Sequence, residues 1–327
     1  MLDEPLVSYA QNGEDIVLWR ALGHISGGIY VDVGGWDPDL DSVTRLFYDR
    51  GWRGVDVEPI PEHAERFRER RPSNEVVQAV ITDDLVEEVV LHRFDSSGLS
   101  TVDDELAERH GLEGREHEDI IVPARRLDDV LASSSVVVDT IHFLKIDVEG
   151  AEEKVLRSVD LARWRPWVLV VEATEPNSTV STHSAWEPIL LAAGYTFTLF
   201  DGLSRFYVST EHPELAEALS YPACPQDWFE RAPQVALRHK TAAQEQELLF
   251  VREQAALARR EADELRLRLG RVREKLQRVR TERKALRAEL TRISSQTERV
   301  DQPDAADGSV RGRLLAAARK ATGQPGR

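Results

Sequence analysis

The chain has 327 residues, 41% hydrophobic and 31% charged, with 42 Lys+Arg against 58 Asp+Glu and a formal net charge of −16. That length suits two domains or one large domain with an appendage, and the balance suits a soluble core carrying a charge-rich accessory segment. Cys224 is the only cysteine, which excludes an internal disulfide framework and any CxxC metal or redox site.

Residues 1–17 are acidic and lack the basic-then-apolar order of a secretory signal. No run approaches the ~18 apolar residues of a membrane span, so a cytoplasmic protein is expected. Charge is unevenly placed. Residues 235–327 hold 22 Lys+Arg and 13 Asp+Glu, leaving 20 and 45 for residues 1–234. Two segments so different are expected to be two physical objects, and the acidic one repels nucleic-acid phosphates, so no nucleic-acid partner is expected for residues 1–234.

In chain order, residues 29–34 (Ile-Tyr-Val-Asp-Val-Gly) read as a buried strand entering a tight turn. Residues 54–59 (Gly-Val-Asp-Val-Glu-Pro) read as a second strand, stopped by Pro59. Between them Val43, Leu46 and Phe47 have helical spacing over 42–50, giving a βαβ unit and hence a parallel sheet. A charged surface helix over 61–71 and a strand over 76–81 follow. Strands over 89–94 and 120–123 flank a polar, glycine-containing excursion, and 127–131 suggests a short helix. Strand 141–148, helix 152–158, strand 167–172 and helix 185–193 continue the alternation. Segments 195–200 and 205–208 read as a closing hairpin across Asp201-Gly202. The expected fold is α/β, a doubly wound, mostly parallel sheet with an antiparallel closing hairpin.

After Pro233 the texture changes. Leu248, Ala255, Ala262, Leu269, Leu276 and Leu290 fall in one heptad register. Val251, Ala258, Leu265, Val272, Val279, Leu286 and Ile293 fall in the other, and only Arg283 breaks the seam. Six to seven heptads predict a coiled coil, and a lone helix cannot bury such a seam, so self-association is expected. The domains are then 1–234, a coiled coil over 240–297, and 298–327 as a linker and basic amphipathic tail. The stretch 310–320, around Leu314 and Leu315, reads as a solubilising tail or as a contact to the inner face of an anionic membrane or to a glycan assembly.

Three patches carry chemistry. The first βα turn, Asp32-Val-Gly-Gly-Trp-Asp-Pro38, lets backbone N–H groups approach a ligand but lacks the GxGxxG spacing of a dinucleotide site. The second strand ends in Glu58, where such folds place a carboxylate for ribose hydroxyls. An acid inside the turn, Asp32, suits an amine-bearing ligand, and together these features favour S-adenosylmethionine over NAD. The third patch, Leu144-Lys-Ile-Asp-Val-Glu-Gly-Ala-Glu152, puts Lys145, Asp147 and Glu149 on one side of a strand end, and the next strand brings Glu172 to the same edge. Lys145 reads either as a structural counter-ion to those acids or as part of the site.

Those residues, with Ser8-Tyr-Ala-Gln-Asn-Gly-Glu-Asp15, Gly51-Trp-Arg-Gly-Val-Asp-Val-Glu-Pro59 and Phe200-Asp-Gly-Leu-Ser-Arg-Phe-Tyr-Val208, resemble the FkbM family of S-adenosylmethionine-dependent methyltransferases over about 6–230. The resemblance implies a class I, Rossmann-like methyltransferase domain and O-methylation of a hydroxyl, most often on a sugar of a glycan or natural product. It implies that Asp32, Gly34 and Gly35 line the methionine and sugar side of the cofactor, with Asp147 beside them. Glu58 and Pro59 would lie at the ribose, and Ala79-Val80 with the Gly98-Leu-Ser-Thr101 loop near the adenine. The segment 11–15, led by Gln11, would fold over the site as a lid or serve as an acidic helix N-terminus. Gly35 stands where the family more often has Ala.

Methyl transfer to a hydroxyl needs an aligned acceptor and a route for its proton. His183, in the loop after the Glu172 strand, is one candidate base, with Asp147 and Glu172 as the other catalytic candidates. Alternatively Asp147, Glu149 and Glu172 hold Mg²⁺, an ion that prefers oxygen ligands. His142, at the start of its strand, is expected to be structural. The competing reading is a catalytically inactive methyltransferase-like scaffold acting through its coil.

Overall fold

The structure, a computed structural model, describes residues 4–94, 98, 100–103, 107–108, 117–137 and 140–300. The chain divides into two units, 1–241 and 242–327. β1 (Leu6–Ser8) and α1 (Glu14–Leu22) precede β2 (Ile29–Val33), α2 (Arg45–Tyr48), β3 (Arg53–Val57), α3 (Pro61–Arg70) and β4 (Glu75–Val77). Next come β5 (Val80–Ile81), β6 (Glu88–Phe94), β7 (His117–Arg125), α4 (Leu127–Ser133), β8 (Phe143–Ile146), α5 (Glu152–Arg157) and β9 (Val168–Glu172). α6 (Glu187–Ala192), β10 (Tyr195–Phe200), β11 (Ser204–Ser209), β12 (Phe229–Arg231) and α7 (Ala232–Val300) complete the order.

Seven strands form one sheet in the order β10-β11-β9-β8-β2-β3-β4. Strands β4, β3, β2, β8 and β9 are parallel, and the hairpin β10–β11 closes the β9 edge antiparallel. The chain leaves β2 for β3 on one side and later returns to β8 on the other. That reversal opens a crevice at the carboxyl ends of β2 and β8, where open α/β sheets take ligands. Alternation splits each strand between two cores. Val31, Val33, Val55, Val57, Leu144 and Ile146 pack in one, while Tyr30, Phe143, Val168 and Val170 join Ile16 and Leu18 of α1 in the other.

Several boundaries differ from expectation. The strand expected over 76–81 breaks at Gln78-Ala79: β4 stays in the main sheet, while β5 joins β6 and β7 in a three-stranded sheet, order β5-β7-β6. The helix expected over 42–50 contracts to Arg45–Tyr48, because Ser42 and Thr44 are engaged in a buried polar network. The helix expected over 185–193 starts at Glu187, with Pro188 in its first turn, after a 3₁₀ turn His183–Ala185. Arg71, read as the end of an exposed helix, is 1% exposed. The parallel pair β1–β12, joining Leu6–Ser8 to Phe229–Arg231, was not foreseen; three-residue strands carry too little pattern to be read.

Helix α7 runs to Val300, three residues into the segment read as a linker. Within 242–300 the large apolar heptad residues, Leu269 and Leu276 among them, are exposed. Among the described residues no helix is long and apolar enough to cross a membrane. Leu99 and the basic stretch 310–320 lie outside the described residues.

Candidate functional site

A cavity of about 380 Å³ opens where β2, β3 and β8 end, lined by Gly34, Gly35, Trp36, Glu58, Pro59, Lys145, Asp147 and Glu149 among others. Its floor is set by backbone. Gly34 N–H donates to Val57 O and Asp147 N–H to Val33 O, both at 3.0 Å, so the three strand ends are tied together just below the cavity. Gly34 has φ 85°, and an ideal Cβ there would stand 1.7 Å from the carbonyl oxygen of Asp147. Only glycine meets both conditions. A Cβ on Gly35 would stand 2.7 Å from Cζ of Phe67, so in this chain the ring occupies the space an alanine methyl would take.

Four cavity-lining residues other than glycine hold positive φ: Trp36 (49°), Asp41 (49°), Glu149 (53°) and Asn177 (52°). Such conformations concentrate where surrounding structure over-determines the backbone, as at ligand sites. Asp41, His63 and Asn177 were missed in the sequence, and Trp36 was read only as part of the Asp32–Pro38 turn. Asn177 and Asp41 gave a signal, because asparagine and aspartate tolerate this region.

Glu58 accepts the N–H of Trp36 at 3.0 Å on Oε2 and that of Ile60 at 2.9 Å on Oε1, with His63 Nδ1 at 3.6 Å. One N–H per oxygen fixes the carboxylate and leaves acceptor capacity on each. Gln11, Ala79, Val80, Gly98 and Ser100 also line the cavity. Thr101 does not; its hydroxyl donates to the carbonyl of Glu149 at 2.8 Å and so supports the wall from behind. Of the lid segment, Glu14 and Asp15 are buried at the start of α1. Asp15 accepts from Ser8 Oγ and Tyr9 N, and Glu14 from Asn12 N, so these two acids shape the turn that presents Gln11. Burial raises Glu14 to about 8, helped by Asp201, and Asp15 to about 6.

Asp32 does not line the cavity. It lies one layer below, 1% exposed, in a row where Asp56, Asp32 and Lys145 stand opposite one another on adjacent strands. Thr44 Oγ1 donates to Asp32 at 2.8 Å, Arg71 donates to Thr44 at 2.8 Å and to Asp56 at 3.0 Å, and Asn74 donates to Asp56 at 2.6 Å. Lys145 Nζ stands 3.4 Å from Asp32 and 3.3 Å from Asp147, and donates to Gly34 O at 3.0 Å. Burial alone would lower the Lys145 pKa; the Asp147 and Asp32 carboxylates outweigh it and hold the ammonium charged. Lys145 is thus both counter-ion and cavity wall, and Asp32 positions it.

Asp147, Glu149 and Glu172 each place an oxygen within 4.8 Å of the others. Burial and then the Asp147 charge raise Glu149 to about 9, and the same causes push Glu172 well above the usual carboxylate range. Glu152, raised to about 7 by burial, accepts from the N–H groups of Val148 and Gly150 and braces the turn. Glu149 Oε2 and Glu172 Oε2 are buried with no hydrogen-bond partner among the described residues. The cluster therefore stores protons beside one paired carboxylate, Asp147, or offers three oxygens to a hard cation.

His183 does not line the cavity. Its Nδ1 lies 2.5 Å from Ser181 Oγ and its Nε2 3.7 Å from Glu187, both outside the cavity wall. His142 accepts the N–H of Ile29 on Nδ1 at 3.0 Å, and burial lowers its pKa, as suits a structural residue.

The family model described as "Methyltransferase FkbM domain" matches residues 32–197. No curated protein matches the chain. Among solved structures, the chain is similar to a TehB-like SAM-dependent methyltransferase from Corynebacterium glutamicum (8% identity, TM-score 0.33, 60% of this chain and 88% of that one). It is also similar to the magnesium protoporphyrin IX methyltransferase of Synechocystis with bound SAM (10%, 0.33, 60% and 77%). A third is an O-methyltransferase from Bacillus cereus in complex with SAH (15%, 0.29, 62% and 84%). At such scores these three likenesses add nothing to the family match.

Proposed function

Because the chain belongs to the FkbM methyltransferase family, we propose that it is an S-adenosylmethionine-dependent O-methyltransferase acting on a sugar hydroxyl of a glycan or glycosylated natural product. One observation carries the reading: one cavity is walled by Glu58, by the Gly34 turn and by Asp147 and Glu149, with a Glu172 oxygen within 4.8 Å of both. The fit to the cofactor rests on three features. The volume lies within the ~300–1,000 Å³ of small-ligand sites. Glu58 keeps acceptor capacity for a diol, and Gly34, at positive φ against the Asp147 carbonyl, forms the tight turn that floors the cavity.

When bound, S-adenosylmethionine supplies an electrophilic methyl group on a sulfonium. The protein's task is to hold an acceptor oxygen in line and receive its proton. Asp147, held by Lys145, is the proton acceptor. Glu149, protonated at neutral pH, donates a hydrogen bond that orients the acceptor, and Glu172 shares the proton with Asp147 from behind. His183 takes no part. A second reading, in which Mg²⁺ binds Asp147, Glu149 and Glu172 and acidifies the hydroxyl, is favoured by the unpartnered oxygens of Glu149 and Glu172. The exposed heptad seam of α7 serves self-association with a second copy of the chain.

Calorimetry with S-adenosylmethionine and S-adenosylhomocysteine, with and without Mg²⁺, tests this. Saturable binding of both supports the enzyme, and binding or turnover that needs Mg²⁺ selects the metal reading. No binding in either condition supports the inactive scaffold instead.

A further inference from the structure

On the three-stranded sheet that flanks the cavity, two histidines and an aspartate that do not line it meet on one face. We propose that His92, His117 and Asp119 bind a zinc ion that clasps β6 to β7 at the end of their pairing where Phe94 stands opposite His117. In the antiparallel register His92 stands opposite Asp119, and His117 lies two residues before Asp119, so all three side chains share a face. Each places one ligand atom within 4.8 Å of the other two. His92 Nδ1 lies 2.7 Å and His117 Nε2 3.4 Å from Asp119 Oδ1. Ligand atoms around a tetrahedral zinc with bonds of ~2.0–2.1 Å stand about 3.3–3.4 Å apart. The His117–Asp119 spacing already matches, while the His92–Asp119 contact must open by about 0.6–0.7 Å to admit the ion.

The donor set narrows the choice to transition ions, zinc or iron(II). Two imidazoles and one carboxylate suit zinc, whereas Mg²⁺ and Ca²⁺ favour all-oxygen sites. A hydrogen-bonded His–Asp pair would need no third member, yet the His117 ring stands perpendicular to that of His92 with centroids 5.2 Å apart. The Asp119 side chain is 58% exposed, so an ion enters from solvent and water completes the shell.

The location gives the ion a task. His92 and Thr101 exchange backbone hydrogen bonds at 2.9 and 3.2 Å, and Thr101 Oγ1 reaches the carbonyl of Glu149. Gly98, Ser100 and Val102 line the cavity. Zinc on His92 thus fastens the strand that holds this stretch of cavity wall, whatever ligand the cavity takes.

The test uses the full chain without a histidine tag, stripped with EDTA and titrated with ZnCl₂ by calorimetry. One ion is expected to bind, and Co²⁺ is expected to give a tetrahedral absorption spectrum. His117→Asn and Asp119→Asn, both at partly exposed positions, should each weaken binding at least about tenfold, since even outer partners of a metal are worth 10–100-fold. Circular dichroism in EDTA checks that both variants are folded. Glu172→Gln should retain the ion. Zinc should slow amide exchange at His92 and Thr101 in the native chain and not in Asp119→Asn. Absence of saturable binding overturns the proposal. So does binding indifferent to both His117→Asn and Asp119→Asn, or lost in Glu172→Gln, which would assign the ion to the carboxylate cluster. None of these readouts requires a methyl donor, so failure here is separable from failure of the proposed reaction.

Discussion

Lys145 Nζ donates to the carbonyl of Gly34 at 3.0 Å, so a buried cation holds the turn that forms the cavity floor. The same ammonium stands between Asp32 and Asp147. Lys145→Met removes it and leaves Asp32 buried within the sheet without its ammonium, at an expected cost of about 3–5 kcal/mol in urea denaturation. Adding Asp32→Asn should recover part of that loss, because the uncompensated charge and not the missing contact dominates it. No recovery in the double variant would refute the counter-ion role.

Gly35→Ala should destabilise by about 1–3 kcal/mol, the range for overpacking, because the new methyl meets the Phe67 ring. Combined with Phe67→Leu, the two changes should cost less than the sum of the single variants. Gly34→Ala has no such rescue, because the obstacle is the Asp147 backbone. Thermal melts of the four proteins decide the point.

Asp147→Asn should lower the methyl-transfer rate by on the order of 10²–10⁴, the span of general-base catalysis. His183→Ala should leave it unchanged. Single-turnover rates at saturating cofactor make the comparison, and the reverse ranking would move the base to His183.

Stability should fall as pH rises from the ordinary carboxylate range toward about 9. Glu149 and Glu152 have raised pKa values when folded, about 9 and about 7, so in that window the folded state binds more protons than the unfolded one. Glu149→Gln should flatten the upper part of the profile, measured as denaturation midpoints at about pH 6 and about pH 9. An unchanged slope would show that Glu149 does not titrate in that window.

Leu269→Glu with Leu276→Glu places charge twice in one heptad register of α7, at residues that are exposed in the single chain. Sedimentation should show the native chain as an oligomer and this variant as a monomer, with cofactor binding retained. A monomeric native chain would remove self-association.

The main sheet was legible because each central strand is an apolar run ending in a turn signal, as with Tyr30 to Gly34 and Leu144 to Asp147. Spacing also brought Glu58, Asp147 and Glu172 to one edge. What stayed hidden lay off the periodic pattern. Arg71 follows a charged helix and precedes Pro72, yet its partners Asp56, from β3, and Ser42 and Thr44, from the loop before α2, come from two other segments. Asp32 was placed in the cavity because sequence order marks the strand end, while alternation turns its side chain below the floor. His183 stands in a loop whose direction no local pattern encodes.

The pair β1–β12 has a mechanical meaning. Helix α7 leaves the domain directly from β12, so a pull along it enters through three residues paired with Leu6–Ser8. Arg231, at that junction, also donates to the carbonyl of Gln11 at 3.2 Å, and Gln11 lines the cavity. Tension is therefore delivered to the lip of the site before it reaches the sheet.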